Sequence, residues 1–122
     1  MNTLEMNAVE TNETQVYQSS HPKHSMTLEK ILQDLHALEE DLWMYERKYG
    51  IRSQTFYQSY IQGDEPPEDA WVKDWNGWAA TYEIWLRRQT QYSNAIESLQ
   101  QQTPLIHLIW KTARRESIPV FA

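Results

Sequence analysis

Cysteine is missing from the 122-residue chain, which rules out a disulfide framework, a thiolate zinc site and any thiol chemistry. Glycine is scarce at three residues, too few for a phosphate-cradling loop or a dinucleotide fingerprint, and no Ser/His/Asp arrangement is legible. No run approaches the ~18 to 20 apolar residues that a membrane span needs, and the first 25 residues lack the apolar core of a signal peptide. Basic residues are outnumbered, 11 against 17, and the net charge of −6 opposes attraction to phosphate backbones or anionic lipid. These absences point to a single cytoplasmic domain with no cofactor and no metal, which contacts neither nucleic acid nor membrane.

The charge is uneven. From Pro104 onward Lys111, Arg114 and Arg115 against Glu116 leave +2, so residues 1–103 carry −8. Residues 1–25 are rich in Asn, Thr, Ser, Glu and Gln, show no sustained period and read as a disordered tail. Met26 opens the first periodic segment, which suits a translation start there. His21 and His24 make a His-x-x-His pair in the tail, for which an ordinary polar tail is the simpler account.

From Leu28 the apolar positions are Leu28, Ile31, Leu35, Leu38, Leu42, Tyr45 and Tyr49, alternating steps of three and four, an a/d seam over three heptads. The pattern predicts a helix over about 27–49, capped by Ser25 or Thr27 and stopped by Gly50 in a left-handed conformation. A short helix over about 53–62 follows, with Ser53 as its cap and Gly63 as its stop. Pro66 and Pro67 break it, and Pro67 opens a third helix over about 67–101. That helix repeats the seam through Trp71, Trp75, Trp78, Tyr82, Trp85, Gln89, Tyr92, Ile96 and Leu99, with Gly77 marking a close helix contact. The predicted fold is all-α, an antiparallel hairpin of two long amphipathic helices joined by the short one. The domain limits are a tail over 1–25, a hairpin over 26–103 and an apolar, basic extension over 104–122.

The extension opens with Thr103 as a cap and Pro104 as a first helical residue. Leu105 to Trp110 reads equally as helix or strand, because a short apolar run fits both periods.

No catalytic constellation emerges. Gln33 stands three residues before His36 and Pro104 three before His107, so the Glu-x-x-His pairs of a di-iron bundle are lacking. His36 and Glu39 share a flank of the first helix, but no second ligand pair accompanies them. Asp64, Glu65, Glu68, Asp69 and Asp74 gather at a helix start, where capping and dipole complementarity account for them without a cation. A ladder of Trp71, Trp75, Trp78 and Trp85 suits stacking on a flat ligand, although core filling explains the same positions. A two-helix core cannot hide so many indoles, and tryptophan is enriched where proteins meet. The expected partner-contacting residues are therefore Trp71, Trp75, Trp78, Leu105, Leu108, Ile109, Trp110, Arg114, Arg115, Val120 and Phe121.

The stretch from Tyr45 to Arg88 contains Glu46, Lys48, Tyr49 and Gly50 at the turn, Ser53 followed by Phe56 and Tyr57, then Gly63 with Asp64, and Trp78, Tyr82 and Leu86 on the second long helix. In these parts it resembles a family of short helical proteins of archaea and cyanobacteria encoded beside a small toxin gene. The resemblance implies an antitoxin-like role, with a cognate toxin as partner. The alternative is a self-associating structural or adaptor protein, in which two hairpins close a homodimeric four-helix bundle.

Overall fold

The computed structural model describes residues 26–120. The expected tail over 1–25, with His21 and His24, lies outside the described residues, as does Phe121. In chain order the elements are strand β1 (Met26–Thr27), helix α1 (Leu28–Tyr49), helix α2 (Ser53–Ile61), a 3-10 turn (Asp69–Trp71), helix α3 (Val72–Gln100), helix α4 (Leu105–Ala113) and strand β2 (Pro119–Val120).

The Thr27 hydroxyl accepts the Lys30 N–H at 3.2 Å and starts α1, while Gly50, at φ 74°, ends it by donating its N–H to the Glu46 carbonyl at 2.8 Å. Every one of the seven seam positions of α1 is buried or half-buried. The α3 seam packs on it in the opposite direction: Tyr49 meets Trp71 and Trp78 at one end, while Leu28 and Ile31 share a cluster with Ala95, Ile96 and Leu99 at the other. The all-α hairpin is therefore the fold.

Two local expectations are corrected. Ser53 does not cap α2 with its own side chain. It is the first helical residue, and the Glu46 carboxylate on α1 accepts both its N–H at 2.9 Å and its hydroxyl at 2.8 Å. A cap supplied from seven residues upstream has no signature at the helix start itself. The third helix begins later than Pro67, because Glu68 is extended (φ −128°, ψ 136°) and leaves both prolines outside; a single 3-10 turn then leads into α3.

The core has two parts. At the elbow, Leu42, Phe56, Trp78 and Ala79 are buried under a ring of tyrosines and Trp75. At the open end, Leu28, Ile31, Leu35, Ala95, Leu108, Ile118 and Val120 are buried together, and Trp85 touches both clusters. Gly77 leaves room for a side chain of α1: a Cβ there would stand 2.8 Å from the Tyr45 hydroxyl.

Residues from 104 onward are not a separate extension. Leu105 to Trp110 is helix, and Pro104, not Thr103, occupies its cap position. The chain then turns back so that β2 pairs antiparallel with β1, Met26 opposite Val120 and Thr27 opposite Pro119. Leu28 donates its N–H to the Ile118 carbonyl at 2.8 Å. Pro119 is tolerated because a two-stranded ribbon is all edge.

Candidate partner interface

The elbow is an aromatic cluster locked by polar contacts. Trp78 is 1% exposed, lies face to face with Phe56 at 3.9 Å between ring centres, and is stacked with Tyr45 and Tyr49 at 5.5 Å each. Its indole N–H donates to the Ser53 hydroxyl at 2.8 Å, and that hydroxyl donates in turn to Glu46. A buried donor thus passes through a buried hydroxyl to a carboxylate, which satisfies all three. The parts of the sequence that carry the family resemblance, Glu46, Ser53, Phe56 and Trp78, coincide with this lock, so their spacing has a packing explanation.

Trp71 sits edge-on to Tyr49 and Trp75 edge-on to Phe56. The elbow indoles Trp71, Trp75 and Trp78 are thus packed within the chain, because α2 adds Phe56, Tyr57 and Tyr60 as a third wall, whereas Trp43 and Trp110 are 57% and 63% exposed. Trp78 has no free face for a flat ligand or a partner. Leu108 and Val120 are likewise removed from the expected contact set, since both are buried in the open-end cluster.

Lys48 and Tyr49 both donate to Asp74 Oδ2, at 2.6 and 2.7 Å, tying the end of α1 to the start of α3. The hydrogen bonds from Lys48 and Tyr49 hold the Asp74 carboxyl below its usual range, and Asp74 raises the Lys48 ammonium. Burial, then the bond to Asp74, raises the Tyr49 phenol, and the hydrogen bond to Glu83 raises Tyr57. A depressed carboxyl contributes stability above its ordinary pKa near 3.8 and loses it as pH falls through the folded value. Raised phenol and ammonium groups contribute below their ordinary values, from 10.0 for tyrosine, and lose this as pH rises further. Stability is therefore expected to be flat between about pH 5 and 9 and to fall on both sides. Asp74→Asn should flatten the acid flank and reduce the alkaline one, part of which burial of Tyr49 and the Tyr57–Glu83 bond maintain, as measured by urea midpoints against pH; unchanged flanks would contradict the triad.

Among the described residues no three His, Asp or Glu side chains converge as a metal site would require. Asp64 accepts from the Ser59 hydroxyl at 2.7 Å and Asp74 is held as above, so the acidic group at the helix start is dispersed. His36 is exposed, and the Glu39 carboxylate beside it accepts the Trp85 indole N–H at 2.9 Å. Among the described residues no helix is long and apolar enough to cross a membrane.

Apolar side chains are uncovered in several places, among them Trp43, Met44, Ile51, Ile61 and Val72, and α4 at the open end exposes the largest group on any one helix. In α4 only Leu108 is buried; Leu105 is 46%, Ile106 59%, Ile109 50% and Trp110 63% exposed. These four sit at i, i+1, i+4 and i+5, so they form one ridge on one side of the helix. Beside the ridge a groove of about 180 Å³ runs between α4 and the first turns of α1, bordered by Leu32, Ile96 and Arg115 among others. Arg114 forms an ion pair with Glu116 at 2.6 Å and lies 5.8 Å over the Trp110 ring. Of the expected contact residues, Leu105, Ile109, Trp110, Arg114 and Arg115 thus come together on one surface, while Trp71 and Trp75 lie at the opposite end of the hairpin. Ile106 and Leu32 belong to that surface and were not among the expected contacts. Ile106 was discoverable from its place in the apolar run, whereas Leu32 is off the α1 seam and carries no sequence signal. Compared with known proteins, the chain matches no family model, no curated protein and no solved structure.

Proposed function

We propose that this chain is a non-catalytic protein-binding module, antitoxin-like in role, that covers a cognate protein with the exposed side of α4. The observation that carries this reading is the ridge of Leu105, Ile106, Ile109 and Trp110. A nine-residue helix with one buried side chain is anchored at Leu108 and otherwise presents large apolar groups to water. Contiguous patches of that kind, flanked by charge, mark contact surfaces on otherwise stable chains. The charge of −8 over residues 1–103 suits a partner with a basic active site, which it would attract and mask.

Co-expression with the protein encoded beside it, followed by affinity purification, tests the reading. The two should co-purify and growth should be rescued. Ile109→Glu should abolish both while leaving the unfolding free energy from urea titration within about 0.5 kcal/mol of the parent, as an exposed substitution does. Recovery of the helical chain alone, without rescue, would refute the proposal. A stable isolated dimer in sedimentation would favour the four-helix bundle instead.

A further inference from the structure

Helix α4 ends with an arginine where helices ordinarily place glycine. Glu116 donates its N–H to the Lys111 carbonyl and Arg115 to the Thr112 carbonyl, each at 3.0 Å, the two bonds of a left-handed helix stop. Arg115 is the residue that adopts φ 65°, and among the described residues it is the one non-glycine with a positive φ. An L side chain is disfavoured in that backbone state, and α1 avoids the problem with Gly50. A residue kept in an unfavourable backbone state where glycine would be relaxed points to a use for its side chain.

The Arg115 side chain borders the groove beside α4. Among the described residues the ion pairs engage Asp34, Glu46, Asp74 and Glu116, and none involves Arg115 or Lys111. Glu29 lines the same groove without reaching either cation. An apolar groove with a guanidinium at its rim that pairs with none of the described acids, in the segment from Pro104 onward whose charge is +2, is built to receive something apolar that carries a carboxylate. The volume separates ligand classes. About 180 Å³ is below the ~300 Å³ at which small-molecule sites begin. It is close to the ~150 Å³ that holds one benzene ring, so it has room for one large side chain.

Building on the protein-binding role proposed above, we infer that Arg115 is a carboxylate-reading anchor: the groove takes one large apolar side chain from an acid-flanked amphipathic segment of another protein, and Arg115 pairs with the flanking acid. The segment lies along the ridge.

The test uses the full chain and two synthetic helical peptides that share a stripe of leucines at i, i+4 and i+7 and differ only in their flanks, glutamate in one and glutamine in the other. Fluorescence anisotropy at low salt should show the glutamate peptide binding at least tenfold more tightly. Arg115→Gly should erase that difference while raising Tm by about 4 °C, because the helix stop is relieved of strain. Arg115→Lys should keep part of the preference. Equal binding of the two peptides, no saturable binding of either, or a fall in Tm for Arg115→Gly would each overturn the inference. So would a dimer in sedimentation that Ile109→Glu dissolves, since the groove would then belong to a second copy. If the co-expressed partner binds the parent and Arg115→Gly equally, protein binding stands and the carboxylate contact does not.

Discussion

Replacing Trp78 with alanine should lower the stability of the chain by about 3 to 5 kcal/mol, the range for removing a large buried aromatic side chain. Few positions combine so many contacts. The ring is 1% exposed, parallel to Phe56 at 3.9 Å and stacked with Tyr45 and Tyr49, so its loss uncouples α2 from both long helices. Aromatic pairing adds ~0.5 to 1.5 kcal/mol per pair beyond area. Against a total stability of ~5 to 15 kcal/mol for a small domain, this is a large share. Trp78→Phe should cost less, since it keeps a ring on Phe56 while losing part of the indole's volume and the donor to Ser53. Urea unfolding of the three proteins orders them parent, Trp78→Phe, Trp78→Ala. A loss below about 1 kcal/mol for alanine would show that the elbow is not the organising cluster.

Ending the chain at Glu116 should destabilise it by about 3 to 6 kcal/mol, from two apolar side chains at ~1.5 to 3 kcal/mol each. Ile118 and Val120 are buried beside Leu28, Ile31 and Leu108, and the β1–β2 pairing and the Leu28 N–H bond to Ile118 go with them. This reverses the expectation that the apolar end of the chain exists to meet a partner. The final strand is the lid of the open-end core, and the exposed apolar ridge lies one helix earlier. Urea midpoints decide the matter: a truncated chain as stable as the parent would return the last residues to partner contact.

What the sequence disclosed depended on the distance over which each signal acts. The α1 seam was fully legible because all of its determinants lie within one helix: a three–four period, Thr27 before it and Gly50 after it. Pairing with α3 followed from a second stripe of the same period. The start of α2 carries no local signal because its cap comes from Glu46, and the start of α3 lies beyond the prolines because the backbone of Glu68 is extended. A six-residue apolar run does not distinguish helix from strand; the docking of Leu108 against α1 and α3 selects the helix. The β1–β2 ribbon joins the two ends of the described chain, and two-residue strands have no period to detect.

The candidate surface was partly visible in the same way. Leu105, Ile109, Trp110, Arg114 and Arg115 were nominated by their composition, apolar and basic in an acidic chain. Crowding between two helices points to Trp71, Trp75 and Trp78 as contact residues, but α2 supplies a third wall that packs them. The left-handed conformation of Arg115 could not be anticipated, because an arginine after Ala113 and Arg114 reads as ordinary dipole complementarity.

Amide exchange of the chain, free and in complex with the co-expressed protein encoded beside it, tests the central claim most directly. Slowed exchange is expected over α4 (Leu105–Ala113) and the first turns of α1, with the elbow around Trp78 unchanged. Protection confined to the elbow, or to the outer faces of α1 and α3, would contradict the assignment of α4 as the contact surface.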